Sequence, residues 1–425
     1  MAAKAADPAS QVASRRRWIV WGVLNAALFL SFFHRLAPAV IADKLMLDFQ
    51  IGAAAVGALA GIYFYVYMAM QIPSGMLADT LGPRKTVAAG SLLAALGALL
   101  FAVAPDLPAA FVGRLLVGMG TAVGFICALK IVAAWFRPAE FATLAGLGSL
   151  VTTAGSATAA TPLALAAEAF GWRAALAAAA APTLGVAALV WWLVRDRPPG
   201  QPAGGSPRLG LRQAASLVWR NPQTWLCFLA HFGWFGSYLA FVGLWGVPYL
   251  MHVHGLDRLA AANLMIGAAV AYTVGALGLG VVSDRWLRRR RPPMIAGGLI
   301  FLASWLVLVL WPGGHAPIAL TVGAIFLACA GGAANLLCLA LAKESNPTAA
   351  AGLAMGSANG GILGAALLQP LIGAVLDLGW QGEMLAGARA YGASAYQLGF
   401  AAFVALGVLA LGAVLVATES HCQDL

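Results

Sequence analysis

From Trp18 onward this chain falls into about twelve apolar runs. They lie at 18–42, 53–75, 84–104, 109–134, 141–166, 172–194, 223–250, 260–283, 293–312, 316–342, 350–377 and 395–418. Each is near the ~20 residues that cross a bilayer as a helix. A water-soluble domain cannot hide so much apolar surface. The chain is 62% hydrophobic and 9% charged, against roughly 25% charged in an average soluble domain. The expectation is an all-α integral membrane protein that crosses repeatedly, with the lipid bilayer as its outer solvent. Arg15, Arg16 and Arg17 precede a first run long enough to span, so that run reads as a retained anchor and not a cleaved signal. Cys127, Cys227, Cys329, Cys338 and Cys422 show no metal or redox spacing and read as small hydrophobes. No Ser/His/Asp set, metal-ligand cluster or nucleotide loop appears, so neither an enzyme nor a bound metal or cofactor is expected.

The longest polar break, 195–222, is rich in Pro, Gly and Arg and splits the runs into two sets of six. The expected organisation is an N-terminal tail 1–17, a six-helix bundle 18–194, a linker 195–222, a second bundle 223–418 and a tail 419–425. The halves echo each other. Gly75-Met-Leu-Ala-Asp79-Thr-Leu-Gly82-Pro-Arg84-Lys85 follows the second run, and Gly280-Val-Val-Ser-Asp284-Arg285 follows the eighth. Ala145-Gly146-Leu147 and Gly171-Trp172 likewise return as Ala351-Gly352-Leu353 and Gly379-Trp380, about half a chain later. Pseudo-symmetric halves with a site near the midplane are how many secondary transporters are built.

Net charge is +10, which in a soluble chain would suggest nucleic acid; here the placement of the cations argues against it. With the N-terminus inside, Lys4, Arg15 to Arg17, Arg84, Lys85, Arg137, Arg195 to Arg220, Arg285 to Arg291 and Lys343 fall on the cytoplasmic side. The outer loops hold only Lys44, Arg173, Arg258 and Arg389. That asymmetry follows the positive-inside rule and places both termini in the cytoplasm.

Twelve helices as six plus six, with the charged loop after the second and eighth, resemble the major facilitator superfamily. The first half is similar to its anion:cation symporter branch, which includes sugar-acid and organic-anion transporters. Four stretches carry that resemblance: Arg35-Leu-Ala-Pro-Ala-Val; Tyr67-Met-Ala-Met-Gln71-Ile-Pro73-Ser-Gly75; Arg114-Leu-Leu-Val-Gly118-Met-Gly120; and Lys130-Ile-Val-Ala-Ala-Trp135-Phe136. It implies transport by alternating access in a bacterial inner membrane, with Arg35 and Tyr67 at substrate-contact positions. Two positions depart from the branch. His34 stands where an acidic residue usually precedes the arginine, and Thr121 stands where a glutamate is common.

The ionisable groups inside the apolar runs are His34, Arg35, Arg114, Lys130 and His231, while every Asp and Glu falls at a helix end, in a loop or in a tail. A charge at bilayer depth costs at least ~2.5–3.5 kcal/mol and normally faces a cavity or a partner. Three permanent cations with no embedded anion make a small-molecule anion the natural ligand. Arg35 either holds that anion bidentately, pairs with Asp43 or Asp48, or caps main-chain carbonyls around Pro38. Arg114 is a gating group or a packing arginine bonded to main-chain carbonyls. Lys130 either makes a second anion contact or snorkels to the cytoplasm. His34 is the candidate proton site: the anion arrives, His34 takes a proton, and both cross. The alternative is a neutral ring bonded to a carbonyl, and the same choice stands for His231.

Tyr63, Tyr67 and Gln71, at i, i+4 and i+8, are expected on one cavity-lining face. Asn335 and Asn359 either contact substrate or bond across helices. Asp79, Arg84, Lys85, Asp284 and Arg285 are the expected conformational latch. The resulting expectation is a monomeric secondary transporter of a small organic anion, coupled to a proton or another ion. The alternatives are an exporter of lipophilic compounds, an organic-phosphate or nitrate carrier, and a membrane receptor that moves nothing.

Overall fold

The computed structural model describes residues 8–136, 141–198, 211–347, 350–385 and 388–422. Within them, eleven helices are long and apolar enough to cross a membrane. A twelfth counts if Ala42–Phe49 and Ala53–Ala69, bent by 117° at their junction, are taken together. The protein is therefore a multi-pass membrane protein with the expected helical fold. One small departure from all-α is a two-stranded antiparallel hairpin pairing Met384 with Arg389 and Leu385 with Ala388.

Local sequence sets the helix ends. Asp106 and Asp257 accept the main-chain N–H groups of Ala109 and Ala260 at 2.9 and 2.7 Å, and Asn221 accepts that of Gln223 ahead of Pro222. These are N-caps, which satisfy donors that have no partner inside the helix. Several expected runs are interrupted. The second breaks at Met70 into Ala53–Ala69 and Gln71–Thr80. The fifth breaks at Ala159 and Ala160 into Phe141–Thr158 and Thr161–Ala169. The tenth breaks at Ala333 and Ala334, and the seventh carries a π turn at Phe241–Trp245. Met70, at φ −79° and ψ −7°, separates Gln71 from the helix that carries Tyr63 and Tyr67.

The chain forms two compact units. The first comprises residues 1–35, 69–159 and 170–206; the second comprises 36–68, 160–169 and 207–425. In the first, the Pro83–Val103 helix packs on Leu107–Ala122 and Trp172–Leu193, and Leu24, Cys127, Ile131, Trp135 and Val190 lie in its core.

The second unit takes in the end of the first run, the Ala53–Ala69 helix and Thr161–Ala169, all from the expected first bundle. Backbone contact explains part of that grouping. A Cβ at Gly57 would meet the carbonyl oxygen of Gln369, and one at Gly373 would meet that of Ala53. The Ala53–Ala69 and Leu363–Leu378 helices thus touch through small residues, as membrane helices do when dispersion drives their packing. Elsewhere in this unit Phe241, Trp305, Phe400 and Phe403 form one aromatic cluster, with centroids 4.6 to 6.4 Å apart.

Candidate functional site

The first unit buries two of the predicted cations. Arg35 is 5% exposed and Arg114 2%. The Arg35 guanidinium carbon lies 4.4 Å from the centre of the Phe32 ring, a cation–π distance. Arg114 donates Nη1 to the main-chain oxygen of His34 at 2.8 Å, the packing role expected as its alternative. His34 Nε2 lies 3.0 Å from the Thr183 hydroxyl. That hydroxyl gives its hydrogen to the Ala179 carbonyl at 2.9 Å. Toward His34 it is therefore an acceptor, so His34 carries a hydrogen on Nε2. Lys130 is half-buried and donates to the Ala78 carbonyl at 2.6 Å, near the end of the Gln71–Thr80 helix, where a cation suits the exposed carbonyls. A cavity of about 480 Å³ lies beside Trp21, Asn25, Phe29, Leu30, Val151 and Pro182; Arg35, Arg114 and Lys130 do not line it.

The second unit holds the other candidates. Tyr63 and Tyr67 are buried and stacked, 6.1 Å apart at 19°. Asn335 is fully buried and bonds across helices: the Tyr272 hydroxyl donates to its Oδ1 at 2.8 Å, and its Nδ2 lies 3.4 Å from His231 Nδ1. Asn359 ends the Ala351–Asn359 helix and is half-buried. Tyr238 stacks on Tyr272 at 4.3 Å and on Phe235 at 6.0 Å, which gives this unit a continuous aromatic face.

The same unit contains ionic contacts that sequence reading missed. Arg258 pairs with both carboxylate oxygens of Asp43 and donates to the Val40 carbonyl, while Glu168 lies 3.6 Å from its Nε. Asp43 thus bonds to Arg258. Asp377 accepts the main-chain N–H groups of Ala53 and Ala54 at 3.0 and 2.8 Å, the Tyr391 hydroxyl at 2.9 Å and Arg389 at 3.3 Å. Burial raises the Tyr391 phenol above its ordinary range, and the Asp377 carboxylate beside it does the same. The available signal was the scarcity of outer cations: of the four, Arg258 and Arg389 are held by carboxylates here.

A family model described as the Major Facilitator Superfamily matches residues 19–359. The chain belongs to the Major Facilitator Superfamily. Among curated relatives of this superfamily member is the protein of Cupriavidus necator named as the probable sulfoacetate transporter SauU. It is 25% identical over 302 residues, which cover 68% of this chain and 70% of that one. The membrane sensor protein UhpC of Escherichia coli is 26% identical over 314 residues, 69% of each chain. Among solved structures, a bacterial homologue of the human lysosomal transporter Spinster, inward-facing and unoccupied, superposes with a TM-score of 0.72. It is 21% identical and covers 94% of this chain and 96% of its own. Family and fold are those of membrane transporters and not of enzymes.

In this superfamily member both charged loops are built on a carboxylate from the segment that closes each half. After the first charged loop, Asp196 accepts the Arg84 main-chain N–H at 2.7 Å. Arg84 Nε donates to the Trp191 carbonyl at 2.7 Å. Gly82, at φ +84°, has no room for a Cβ against Asp196. After the second loop, Glu419 accepts the N–H groups of Arg290 and Arg291 at 2.7 and 3.0 Å. Asp284 bonds to Arg290, which also holds the buried Glu344 at 2.6 Å. Burial opposes the Arg290 charge, but Glu344 and Asp284 outweigh it and raise the guanidinium above its ordinary range. Lys85 and Arg285 are exposed, and the side chain of Asp79 lies outside the described residues.

Burial tends to raise the Glu419 carboxyl, yet its main-chain donors win and lower it. With the folded value below the unfolded one, the ionised cap stabilises fully above the ordinary glutamate range. That contribution is lost as pH falls through the depressed folded value. Glu419→Gln is expected to cost about 1 kcal/mol at neutral pH and to flatten the acid limb of a thermal-unfolding series from pH 7 to pH 3.

Proposed function

We propose that this protein is a secondary active transporter that moves a small organic anion, a carboxylate, sulfonate or sugar acid, across the bacterial inner membrane by alternating access. The observation that carries this reading is Arg35, a permanent cation only 5% exposed, within cation–π distance of the Phe32 ring. A guanidinium there can take a carboxylate or sulfonate through two parallel N–H···O bonds. The naming of one relative for sulfoacetate supports that anion class. Lys130, in the same unit as Arg35, is a candidate second contact. Coupling to a proton belongs to the same proposal. Both termini are placed in the cytoplasm by the positive-inside pattern, and a single copy is the expected unit.

Alternating access needs two states of similar energy that a ligand can bias. The Asp43–Arg258 and Asp377 contacts, on the side expected to face outward, serve as the latch of one state; the charged loops around Asp196 and Glu419 serve the other. A relative named as a sensor favours one rival, a receptor that binds the anion without moving it.

The test is thermal stabilisation of the purified protein by sulfoacetate, D-glucarate, glycerol 3-phosphate, nitrate and tetraphenylphosphonium, followed by counterflow in proteoliposomes. A ligand at 100 times its Kd stabilises the folded state by about 2.7 kcal/mol. Stabilisation by sulfoacetate or D-glucarate is expected, lost in Arg35→Ala while membrane insertion stays normal. A shift confined to tetraphenylphosphonium sinks the anion reading, and binding without counterflow assigns the receptor.

A further inference from the structure

His231 is 1% exposed on the Pro222–Ala240 helix, and its imidazole has hydrogen-bond partners along one edge only. Nδ1 lies 3.4 Å from the main-chain oxygen of Asn335 and 3.4 Å from that residue's Nδ2. Nε2 is buried and makes no hydrogen bond among the described residues. Tyr272 decides which way the Asn335 amide faces: its hydroxyl donates to Oδ1 and so turns Nδ2 toward His231. The neutral ring can accept at Nδ1 from that Nδ2, or donate from Nδ1 to the Asn335 carbonyl. A proton added at Nδ1 ends that acceptance but finds the Asn335 carbonyl at the same distance. One donor and one acceptor are thus set for the two protonation states of a single nitrogen.

We propose that His231, rather than His34, binds the proton that crosses with the anion; this rests on the transporter reading above. His34 Nε2 meets the Thr183 hydroxyl, and a fixed cation, Arg114, is bonded to the His34 main-chain oxygen. His231 has an exchange of partners built around it, at a place where the fold can register the change. Asn335 opens the Asn335–Glu344 helix directly after the Ala333–Ala334 break. Moving the bond from its side chain to its main chain therefore acts on the join between two helices.

The titratable groups on the helices around His231 are Cys227 and Tyr238 on its own helix, Tyr272 on Arg258–Val281, Cys329 on Ile318–Gly332, Cys338 on Asn335–Glu344 and Tyr396 on Ala393–Val416. The fixed charges on those helices and on Leu363–Leu378 stand at the ends: Arg258, Lys343, Glu344 and Asp377. Lys343 and Glu344 lie about 12–14 Å along the axis from Asn335. The step moves one proton from water to Nδ1 on the side of uptake. It breaks the Nδ2–H···Nδ1 bond and forms Nδ1–H···O=C, and release to the opposite side reverses it.

Wild type, His231→Gln and His34→Gln are compared in proteoliposomes with sulfoacetate and D-glucarate as probes. Counterflow needs no coupling; accumulation driven by an inward proton gradient does. His231→Gln is expected to retain counterflow and lose at least about ten-fold in driven accumulation, whereas His34→Gln keeps its driven accumulation. Driven accumulation retained by His231→Gln, or absent from wild type that performs counterflow, overturns the assignment. Wild type without counterflow of either probe fails the transporter reading itself, a separate outcome. Should His231→Gln not fold, Tyr272→Phe carries the test. It frees the Asn335 amide and is expected to move the pH midpoint of driven accumulation, and an unmoved midpoint overturns the proposal.

Discussion

Replacing Arg290 with alanine lowers the stability of the folded protein by about 3–5 kcal/mol, the range for stripping one partner from a buried ion pair. Arg290 is the joint partner of Glu344, Asp284 and the Ser283 hydroxyl. The side chains of Arg290 and Glu344 are 11% and 7% exposed. Without the guanidinium, Glu344 keeps only Ser420 among its hydrogen-bonding partners in the described residues. Asp284 is 60% exposed, so Asp284→Asn should cost less than about 1 kcal/mol. Arg285→Ala, at an exposed position, should be as mild. Unfolding of the three variants in detergent, followed by circular dichroism, gives the comparison. Equal losses at Asp284, Arg285 and Arg290 would mean that the loop works as a diffuse charge patch and not through one buried arginine.

The second large effect is on conformation and not on folding. Asp377→Ala removes a carboxylate that gathers two main-chain N–H groups, a phenol and a guanidinium. Hydrogen bonds to a charged group are worth about 1.5–3 kcal/mol each, so losing the set shifts a two-state gate by one to several factors of ten. The readout is a cysteine at Val56, which is fully buried on the helix that Asp377 caps. Among the native cysteines four are buried and only Cys422 is partly accessible, so background labelling is low. An impermeant thiol reagent added outside should modify Val56→Cys at least about ten times faster when Asp377→Ala is present. An unchanged rate would remove Asp377 from the gate.

Much of the fold is legible in the residues because bilayer physics leaves a coarse imprint. Run length, cation placement and the returning charged loop are local properties, and they lead to a multi-pass chain of this superfamily. The ion pairs and caps are not local. Asp43 and Arg258, or Ala53 and Asp377, are brought together by tertiary packing, and no periodicity marks one for the other. Carboxylates at helix ends give no sign of their partners in the sequence, where Asp106 and Asp257 are caps and Asp43 and Asp284 pair with arginines. One such pair had a trace in the sequence: Asp196 and Glu419 stand in corresponding places, just past the last run of each half. Asn335 shows a different gap. Its type and depth left substrate contact and cross-helix bonding open, and only the positions of Tyr272 and His231 show the bonds that it makes here.

The breaks in the second and fifth runs have a mechanical meaning. Met70 lies beside the point at which the chain passes from one compact unit to the other, and Ala159 and Ala160 straddle a second such passage. An unbroken helix crossing there would be a stiff strut, and bending it would strain hydrogen bonds along several turns. A join of one or two residues concentrates the bend in a few main-chain torsions, as hinges in other proteins do. On the transport reading proposed above, a bend at these joins costs torsion at two short places instead of the melting of two helices.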